Sequence, residues 1–304
     1  MSSAPAPLPE SAPSAQRTLE RLRVAFQGEF GAFGEEAIHL LWRGAAEPVP
    51  KATFEDVMSA AEAHDVDYGM LPIESTLGGG LDVAYDLLSL HDGLKIVAEV
   101  IVPVHLCLLA VPGATLKSIR TLASHPVMLG QCSHFLGRHK HITPEPAWDT
   151  AGAARAVRDA GDRTRAAAGT RRAAERFELA VLMDHIEDRP DSQMRFLAVA
   201  RDPARLPKNT PARTALLAVF PHEAGALVAA LGPMADANFN ISHLASRPTR
   251  EPWRYQFFLE FEHMSGDARV KEALAAIQRA TAEFRLLGTY RRWMSVATDG
   301  TLPW

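Results

Sequence analysis

The sequence predicts an α/β protein with two lobes around a cleft, followed by a small, separate α/β module. Three observations support this fold class. Near the start of the chain, strands end in glycine-rich turns and continue into helices, the repeat that builds a parallel sheet. Two extended segments, near Pro103 and near Arg195, can each cross from one lobe to the other. After a proline-rich segment, the order of elements becomes β-α-β-β-α-β.

Composition limits the class of protein. The chain has 304 residues, of which 47% are hydrophobic and 22% are charged, enough for a substantial core. Its formal net charge of -4 gives no electrostatic reason to expect nucleic acid as a partner. Two cysteines, Cys107 and Cys132, cannot form a disulfide framework or a cysteine-rich metal site. Without an 18-residue apolar run or an apolar signal core, the chain is expected to be cytoplasmic, with no membrane partner.

The first strands and helices follow a disordered tail. Residues 1–21 are rich in Pro, Ala and Ser, a composition typical of disorder. A strand is expected at residues 22–26, and a glycine-rich turn leads from it into a helix that ends near Trp42. A second helix is expected at residues 55–63. The turn after the first strand is a potential anion site, although one glycine pattern is weak evidence.

Residues 68–80, YGMLPIESTLGGG, are the centre of the predicted site. An apolar strand ends in Glu74, Ser75 and Thr76, and three glycines follow before a helix at residues 81–90. Glycine lets a ligand approach the backbone, and the start of a helix offers free N–H groups. In α/β proteins small anions bind at such strand ends. On these residues alone, an anion site and a plain strand-to-helix connection are equally good interpretations.

The second lobe begins after the bend at Pro103. His105 is expected to be a buried core histidine rather than a ligand. Near Trp148 a strand ends and a helix begins, with Asp149 or Thr150 as its N-cap and Gly161 as its stop. A hydroxyl at this position would lie beside the free N–H groups of the helix. Thr150 is therefore a candidate ligand group as well as a candidate cap.

Arg195 lies at the second crossing and is expected to face the ligand. A guanidinium group can bond a carboxylate through two parallel N–H groups. A surface ion pair is the alternative interpretation. Residues 204–212 are expected to be a linker, because they contain prolines and no apolar periodicity. The β-α-β-β-α-β order that follows, at residues 213–291, is that of a ferredoxin-like split unit, and residues 292–304 form a C-terminal tail.

Several segments, in this order, resemble motifs of the prephenate dehydratase family: VAFQGEFGAFGEEA, LPIESTLGGG, ASHPVMLGQCSHFL, DTAGAA and IEDRPDSQMRF. The resemblance covers residues 22–290. It implies that residues 22–203 form a catalytic domain with the two-lobed fold of type II periplasmic binding proteins. It also implies the conversion of prephenate to phenylpyruvate in phenylalanine biosynthesis, with loss of carbon dioxide and water and without a metal or organic cofactor.

The C-terminal module resembles the ACT regulatory domain of that family. The resemblance implies that L-phenylalanine or another aromatic amino acid binds there as an effector, and that the modules pair to give a homodimer or homotetramer. Ala245 replaces a glutamate of the family's regulatory motif. The residues that match the effector site are Gly225, Ala226, Leu227, Val228, Asn240, Ser246, Arg247 and Pro248.

The chemistry of prephenate selects the candidate residues. Its two carboxylates need hydrogen-bond donors, and departure of the ring hydroxyl as water needs a proton donor, which contributes roughly 10²–10⁴-fold. The candidate catalytic residues are Thr76, Thr150, Ser192 and Arg195. The candidate substrate-binding residues are Glu74, Ser75, Gly78, Gln131 and Phe196.

One position departs from the family pattern. The family carries Asn, any residue and then Thr-Arg-Phe, and its threonine is held essential, whereas this chain has a methionine, Met194, in that place. Met194 cannot donate a proton. Three hypotheses follow: a dehydratase whose donor has moved to Ser192, Thr150 or Thr76; a dehydratase for arogenate, the amino analogue; and a non-catalytic small-molecule-binding protein. The last gains support if Ser192 and Thr76 point away from the cleft.

Overall fold

A computed structural model describes residues 21–294 of the chain. Most of the predicted N-terminal tail, and residues 295–304 of the predicted C-terminal tail, lie outside the described residues. The described chain forms two α/β lobes and a C-terminal α/β module, as the sequence predicts. Within it, no helix is long and apolar enough to span a membrane.

The first lobe starts with the predicted strand–turn–helix repeat. Strand β1 pairs in parallel with both β2 and β3, so the first three long strands form a parallel set. The elements of this part are β1 (Leu22–Gln27), α1 (Phe33–Trp42), β2 (Ala46–Lys51), α2 (Phe54–Glu62), β3 (Tyr68–Ser75), β4 (Gly79–Gly80), α3 (Asp82–Leu90) and β5 (Lys95–Pro103).

The second lobe is a five-stranded sheet with short helices. Its elements are β6 (Cys107–Ala110), β7 (Thr121–Ser124), α4 (Pro126–Gly130), α5 (Ser133–Arg138), β8 (Thr143–Pro146), α6 (Thr150–Ala160), β9 (Arg165–Gly169), α7 (Arg171–Arg176) and β10 (Ala180–Met183). The strand order is β10-β6-β9-β7-β8. Asp149 caps α6 with its side chain, and Gly161 ends that helix in the left-handed conformation, as predicted.

Two segments connect the lobes. The chain enters the second lobe between β5 and β6 and returns through β11 (Gln193–Ala200), which lies between β5 and β3 and is antiparallel to both. His105 lies on the first of these segments, and its side chain is 48% exposed. The expectation of a buried core histidine is therefore wrong. Its neighbours Val104 and Leu106 are fully buried, and alternation along an extended segment turns the residue between them outward.

The C-terminal module has the predicted ferredoxin-like fold. Its elements are β12 (Pro211–Val219), α8 (Ala226–Asp236), β13 (Asn240–Pro248), β14 (Tyr255–Met264), α9 (Ala268–Arg279) and β15 (Glu283–Arg291). The order of its strands is β13-β14-β12-β15, and all neighbouring pairs are antiparallel.

The sheet of the module continues the sheet of the first lobe. Strand β15 lies parallel to β5, with Arg291 opposite Ala98. Gly288 permits this approach, because a Cβ atom there would overlap the carbonyl oxygen of Ile96. The combined sheet has the order β13-β14-β12-β15-β5-β11-β3-β1-β2, with β4 on β3. One buried apolar cluster also includes residues of both units, such as Leu71 and Phe258.

Candidate active site

A cavity of about 740 Å³ lies between the two lobes. We call it the cleft. The first lobe contributes the starts of α1, α2 and α3 together with Met194 and Phe196 of β11. The second lobe contributes the starts of α4 and α6, including Trp148 and Thr150. A ligand in the cleft would therefore contact both lobes at once.

Four helices of two turns or more begin at the cleft: α1, α2, α3 and α6. The side chains of Thr53 and Asp149 cap α2 and α6. The helices α1 and α3 begin after Ala32 and Leu81, which offer no side-chain cap. The uncapped N–H groups and the partial positive charge of a helix start favour a negatively charged ligand. The cleft can therefore hold carboxylates without a cationic side chain.

The remaining wall of the cleft is largely apolar. Met70, Pro72, Met194 and Phe196 line it from the strands of the first lobe. Trp148 lines it from the second lobe, and 81% of its surface is exposed. Among the described residues that line the cleft, none is Lys or Arg. An apolar wall with a few polar groups is typical of sites for small cyclic molecules.

Of the predicted catalytic hydroxyls, Thr150 lines the cleft. It is the first residue of α6, directly after the capping Asp149, and it is buried. His125 also lines the cleft and had no role in the sequence-based prediction. Its Nδ1 accepts the N–H group of Val127 at 3.3 Å, which leaves Nε2 as the protonated nitrogen. A hydroxyl and an imidazole N–H are thus both available to a ligand.

Thr76 and Ser192 do not line the cleft. The Thr76 Oγ1 accepts the N–H group of Gln193 at 3.0 Å on an exposed turn. Ser192 is buried, and its carbonyl accepts the N–H group of Val104 at 2.8 Å. Within the described chain, the Ser192 hydroxyl has no hydrogen-bond partner. The Ser192 carbonyl thus joins the two segments that cross between the lobes, and Thr76 joins the turn after β3 to β11.

Arg195 faces away from the cleft, contrary to expectation. Met194 and Phe196, the residues on either side of it, both line the cleft. Because side chains alternate along a strand, Arg195 is directed to the opposite face of the sheet. A one-residue difference in register thus decides whether this guanidinium meets a ligand or the core.

The guanidinium of Arg195 lies in a buried ion-pair network between the first lobe and the module. It contacts Glu74 at 2.6 Å, Glu99 at 3.0 Å and Glu260 at 2.6 Å. Burial lowers the pKa of Arg195, but Glu260 and its neighbours raise it well above its ordinary value. The hydrogen bond from His243 and the charge of Arg195 lower the pKa of Glu74 to about 2, despite partial burial.

The predicted substrate-binding residues divide between the cleft and other places. Phe196 lines the cleft. Glu74, Ser75, Gly78 and Gln131 do not. The Ser75 Oγ accepts the N–H group of Gly78 at 2.8 Å and so closes the turn after β3. The side-chain amide of Gln131 is buried, and neither of its polar atoms has a hydrogen-bond partner in the described chain.

The predicted effector residues lie in two parts of the module. Gly225 precedes α8, and its three matching neighbours form the first turn of that helix. Asn240, Ser246, Arg247 and Pro248 all lie on β13. Arg247 and Pro248 line a cavity of about 720 Å³ between the module and α3, and the α8 residues do not line it. Arg247 also pairs with Asp82 at 2.6 Å and Asp86 at 2.8 Å, both on α3.

Sequence reasoning missed several groups in the cleft. Trp148 and Glu55 line it although neither was a candidate, and Asp149 was considered only as a cap. A signal for Trp148 and Asp149 was available, because residues just before a helix in an α/β fold lie at the carboxyl ends of strands. No sequence pattern indicated that Glu55 lines the cleft, because a glutamate in the first turn of a helix can equally well face solvent.

A family model and the sequences of known proteins both relate this chain to prephenate and arogenate dehydratases. Residues 24–204 match the model of the prephenate dehydratase family. Arogenate dehydratase/prephenate dehydratase 6 from Arabidopsis thaliana is 36% identical over 88% of this chain and 68% of its own length. Arogenate dehydratase 3 from the same plant is 35% identical over 88% of this chain and 67% of its own length. Both are described as chloroplastic.

Solved structures share the whole fold. Prephenate dehydratase from Arthrobacter aurescens, solved with L-phenylalanine, has a TM-score of 0.83 and 28% identity over 89% of this chain and 90% of its own. A protein described as a novel type of quorum-quenching acylase has a TM-score of 0.82 and 31% identity over 89% of this chain and 98% of its own. Two proteins with this fold are therefore described with different activities, one as a prephenate dehydratase and one as an acylase.

Fold and site together define a two-lobed α/β protein with a cleft between its lobes and an appended ferredoxin-like module. The chain belongs to the prephenate dehydratase family. This confirms the family resemblance and the enzyme class, a carbon–oxygen lyase of aromatic amino acid biosynthesis.

Proposed function

We propose that the protein converts prephenate to phenylpyruvate. The bond between the ring and its carboxylate would break with release of CO₂, its electron pair would move into the ring, and the protonated ring hydroxyl would leave as water. The observation that carries the proposal is the cleft, where the uncapped starts of α1 and α3 meet an apolar wall. These are the groups that a dianion with a carbocyclic ring requires.

Thr150 is the proposed donor to the leaving hydroxyl. It lines the cleft from the second lobe, and the start of α6 would stabilise negative charge near its oxygen. His125 is the alternative donor, because it also lines the cleft and its Nε2 carries an N–H group. In this proposal Phe196 and Met194 contact the ring, and Arg195 only supports β11.

The first experiment measures phenylpyruvate formation from prephenate at neutral pH with purified protein, beside Met194→Thr. Turnover by the wild-type protein would support a dehydratase whose donor has moved from position 194. Turnover by the threonine variant alone would indicate a binding or regulatory descendant of the enzyme. If neither protein turns over, the proposed function of the cleft is wrong.

Arogenate is the second candidate substrate, because many of the similar proteins are named arogenate dehydratases. Arogenate carries an ammonium group where prephenate carries a ketone. The carboxylates of Glu55 and Asp149 line the cleft and could pair with that group. Comparison of kcat/KM for the two substrates, in the wild-type protein and in Glu55→Gln, tests this choice. If arogenate is preferred through Glu55, the variant loses the preference.

A non-catalytic binding protein is the third candidate. It is favoured by Met194 in the cleft and by the positions of Thr76 and Ser192 outside it. Calorimetry that detects prephenate binding, together with an assay that detects no product, would support it. The acylase-like structural neighbour adds one more assay, release of a carboxylic acid from an N-acyl amide, since the apolar wall could also accept an acyl chain.

We also propose that residues 22–203 are the catalytic domain and that residues 213–291 are an ACT domain, with residues 204–212 as the linker. The effector would be L-phenylalanine or another aromatic amino acid, bound near Gly225 and β13 where modules pair in a homodimer or homotetramer. The phenylalanine-bound neighbour supports this. Equilibrium dialysis without saturable binding at millimolar phenylalanine would contradict it, as would a monomer by light scattering.

The proposal includes a cytoplasmic location, with no membrane or nucleic-acid partner. The composition of the chain supports this, whereas the plant relatives are described as chloroplastic. Cell fractionation in the source organism would test the location.

A further inference from the structure

The two segments that connect the lobes carry a cluster of metal-ligating side chains outside the cleft. His105 lies on the outgoing segment between β5 and β6. His185 and Glu187 lie on the returning segment between β10 and β11. One potential ligand atom from each residue lies within 4.8 Å of the other two. None of the three lines the cleft.

We propose that His105, His185 and Glu187 bind one divalent transition-metal ion, with Zn²⁺ as the best fit, which ties the two connecting segments together. The Oε1 of Glu187 lies 3.3 Å from the Nδ1 of His105 and 2.8 Å from the Nδ1 of His185. In a tetrahedral zinc site with bonds of about 2.0–2.1 Å, neighbouring ligand atoms are about 3.3 Å apart. The two distances from Oε1 thus lie within about half an ångström of this spacing. The ligand atoms of the two imidazoles lie within 4.8 Å of each other, so the exposed rings would turn toward each other as the ion binds.

Glu187 is held in a fixed orientation. Its side chain is 1% exposed, and its Oε2 accepts the N–H group of Leu106 at 2.8 Å. That bond leaves Oε1 directed at the two imidazoles. The hydrogen bond from Leu106 thus orients the ligand carboxylate, as outer hydrogen bonds do in known metal sites.

The side chains of the two histidines are partly exposed, so an ion can reach the site from solvent and can keep a water molecule as a further ligand. The side chains of His105 and His185 are 48% and 63% exposed, and their rings meet edge to face with centroids 4.8 Å apart. Three protein ligands with water in the fourth position is an arrangement that Zn²⁺ accepts. Two imidazoles and one carboxylate favour a transition metal over Mg²⁺ or Ca²⁺, which prefer oxygen ligands only.

Nearby cations do not prevent binding. Arg171 lies close to the cluster, but Asp184 holds its guanidinium at 2.6 Å. Arg172 lies within electrostatic range of Glu36. Each positive charge around the cluster therefore has an acidic neighbour, and the carboxylate of Glu187 remains to attract an ion.

Titration calorimetry tests the proposal on the full chain, purified without a polyhistidine tag and stripped with a chelator. The probe is ZnCl₂ at neutral pH, and about one equivalent should bind with micromolar or tighter affinity. His105→Gln and His185→Gln should each weaken binding on the order of 10-fold or more, since even the loss of an outer-shell partner costs roughly 10–100-fold. His222→Gln is the matched control, because this exposed histidine lies in the module.

A second measurement reports the coordination geometry of the bound metal ion. Co²⁺ in place of Zn²⁺ should give the intense visible absorption of a four-coordinate site in the wild-type protein and in His222→Gln, and lose it in the cluster variants. The proposal is overturned if the wild-type protein shows no saturable binding, or if both cluster variants bind as the wild-type protein does. Neither readout requires turnover, so the result is independent of the proposed dehydration.

Discussion

Thr150 and Met194 line the same cleft from opposite lobes. The methionine thioether cannot donate a hydrogen bond, whereas the hydroxyl of Thr150, at the start of a helix, can. A proton donor need only reach the leaving oxygen, so its place in the sequence is free to change while the chemistry stays the same. The side chains that line the cleft therefore support the proposal that the proton donor lies on the second lobe.

Thr150→Val should lower kcat for the proposed dehydration by roughly 10²–10⁴-fold, because it removes the hydroxyl and keeps the shape of the side chain. The rate of phenylpyruvate formation measures this. Thr143→Val, at an exposed position of β8, is the control and should keep full activity. An unchanged kcat in Thr150→Val would exclude this donor, and His125→Gln would then be the decisive variant.

The carboxylate of Glu74 should make the free energy of unfolding decrease as the pH falls into the acidic range. Its pKa lies at about 2 in the folded state, below the ordinary 4.5, so the ionised carboxylate stabilises the fold above about pH 4.5. This contribution, on the order of 1–3 kcal/mol after solvent screening, is lost as the pH falls toward 2. Urea unfolding across this range should show a smaller fall in stability for Glu74→Gln. Glu47→Gln, at an exposed position, should behave as the wild-type protein does.

At the scale of elements, two glycines serve contacts between distant parts of the chain. Gly31 lies in the turn before α1, and a Cβ atom there would lie 2.7 Å from the Cα atom of Ala173 in the second lobe. The Thr170 hydroxyl also donates to the Gly31 carbonyl at 2.6 Å. This glycine thus lets the lobes meet, a role that differs from the anion site that its turn suggested. Gly288 plays the same part between β15 and β5.

Gly288→Ala should destabilise the protein by about 1–3 kcal/mol, because the added methyl group forces β15 away from β5. Denaturant unfolding followed by circular dichroism measures the change. Gly232→Ala is the control, since a Cβ atom at that helical position meets open space, and alanine should be neutral or stabilising there. Equal stability of Gly288→Ala and the wild-type protein would show that the two strands do not lie this close.

At the scale of the whole molecule, buried charges join the module to the first lobe. Arg195 contacts Glu99 on β5 and Glu260 on β14, and both carboxylates have fully buried side chains. Tyr290 also donates a hydrogen bond to Glu260. His243 of the module lies 3.1 Å from Glu74, near the end of β3. The module therefore contacts the back of the strands whose front faces the cleft.

Arg195→Met should cost about 3–5 kcal/mol of unfolding free energy, because it leaves Glu99 and Glu260 buried without their cation. Thermal or denaturant unfolding measures the loss. Arg189→Met, which removes an exposed pair with Asp191, should leave the stability nearly unchanged, because water screens such pairs. If Arg195→Met instead kept its stability and raised KM for prephenate, Arg195 would contact the substrate after all.

Most elements and their order could be predicted from the sequence, although strand β2, which contains two prolines, was not among them. Strands, glycine turns, the Asp149 cap and the Gly161 stop were all predictable, because each depends on residues only a few positions apart. The ferredoxin-like module, the two crossings and the family were predictable for the same reason, as ordered local motifs. Of the predicted residues in the central site, Thr150 and Phe196 line the cleft.

The face that each side chain occupies depends on tertiary packing and could not be predicted from the sequence. Arg195 and Glu74 meet the module rather than the cleft, and His105 meets Glu187 rather than the core. The joining of β15 to β5 likewise pairs residues that are far apart in the chain. Such contacts depend on how the helices and strands pack against one another. Because a shift of one residue along a strand moves every side chain to the other face, local sequence patterns cannot specify these contacts.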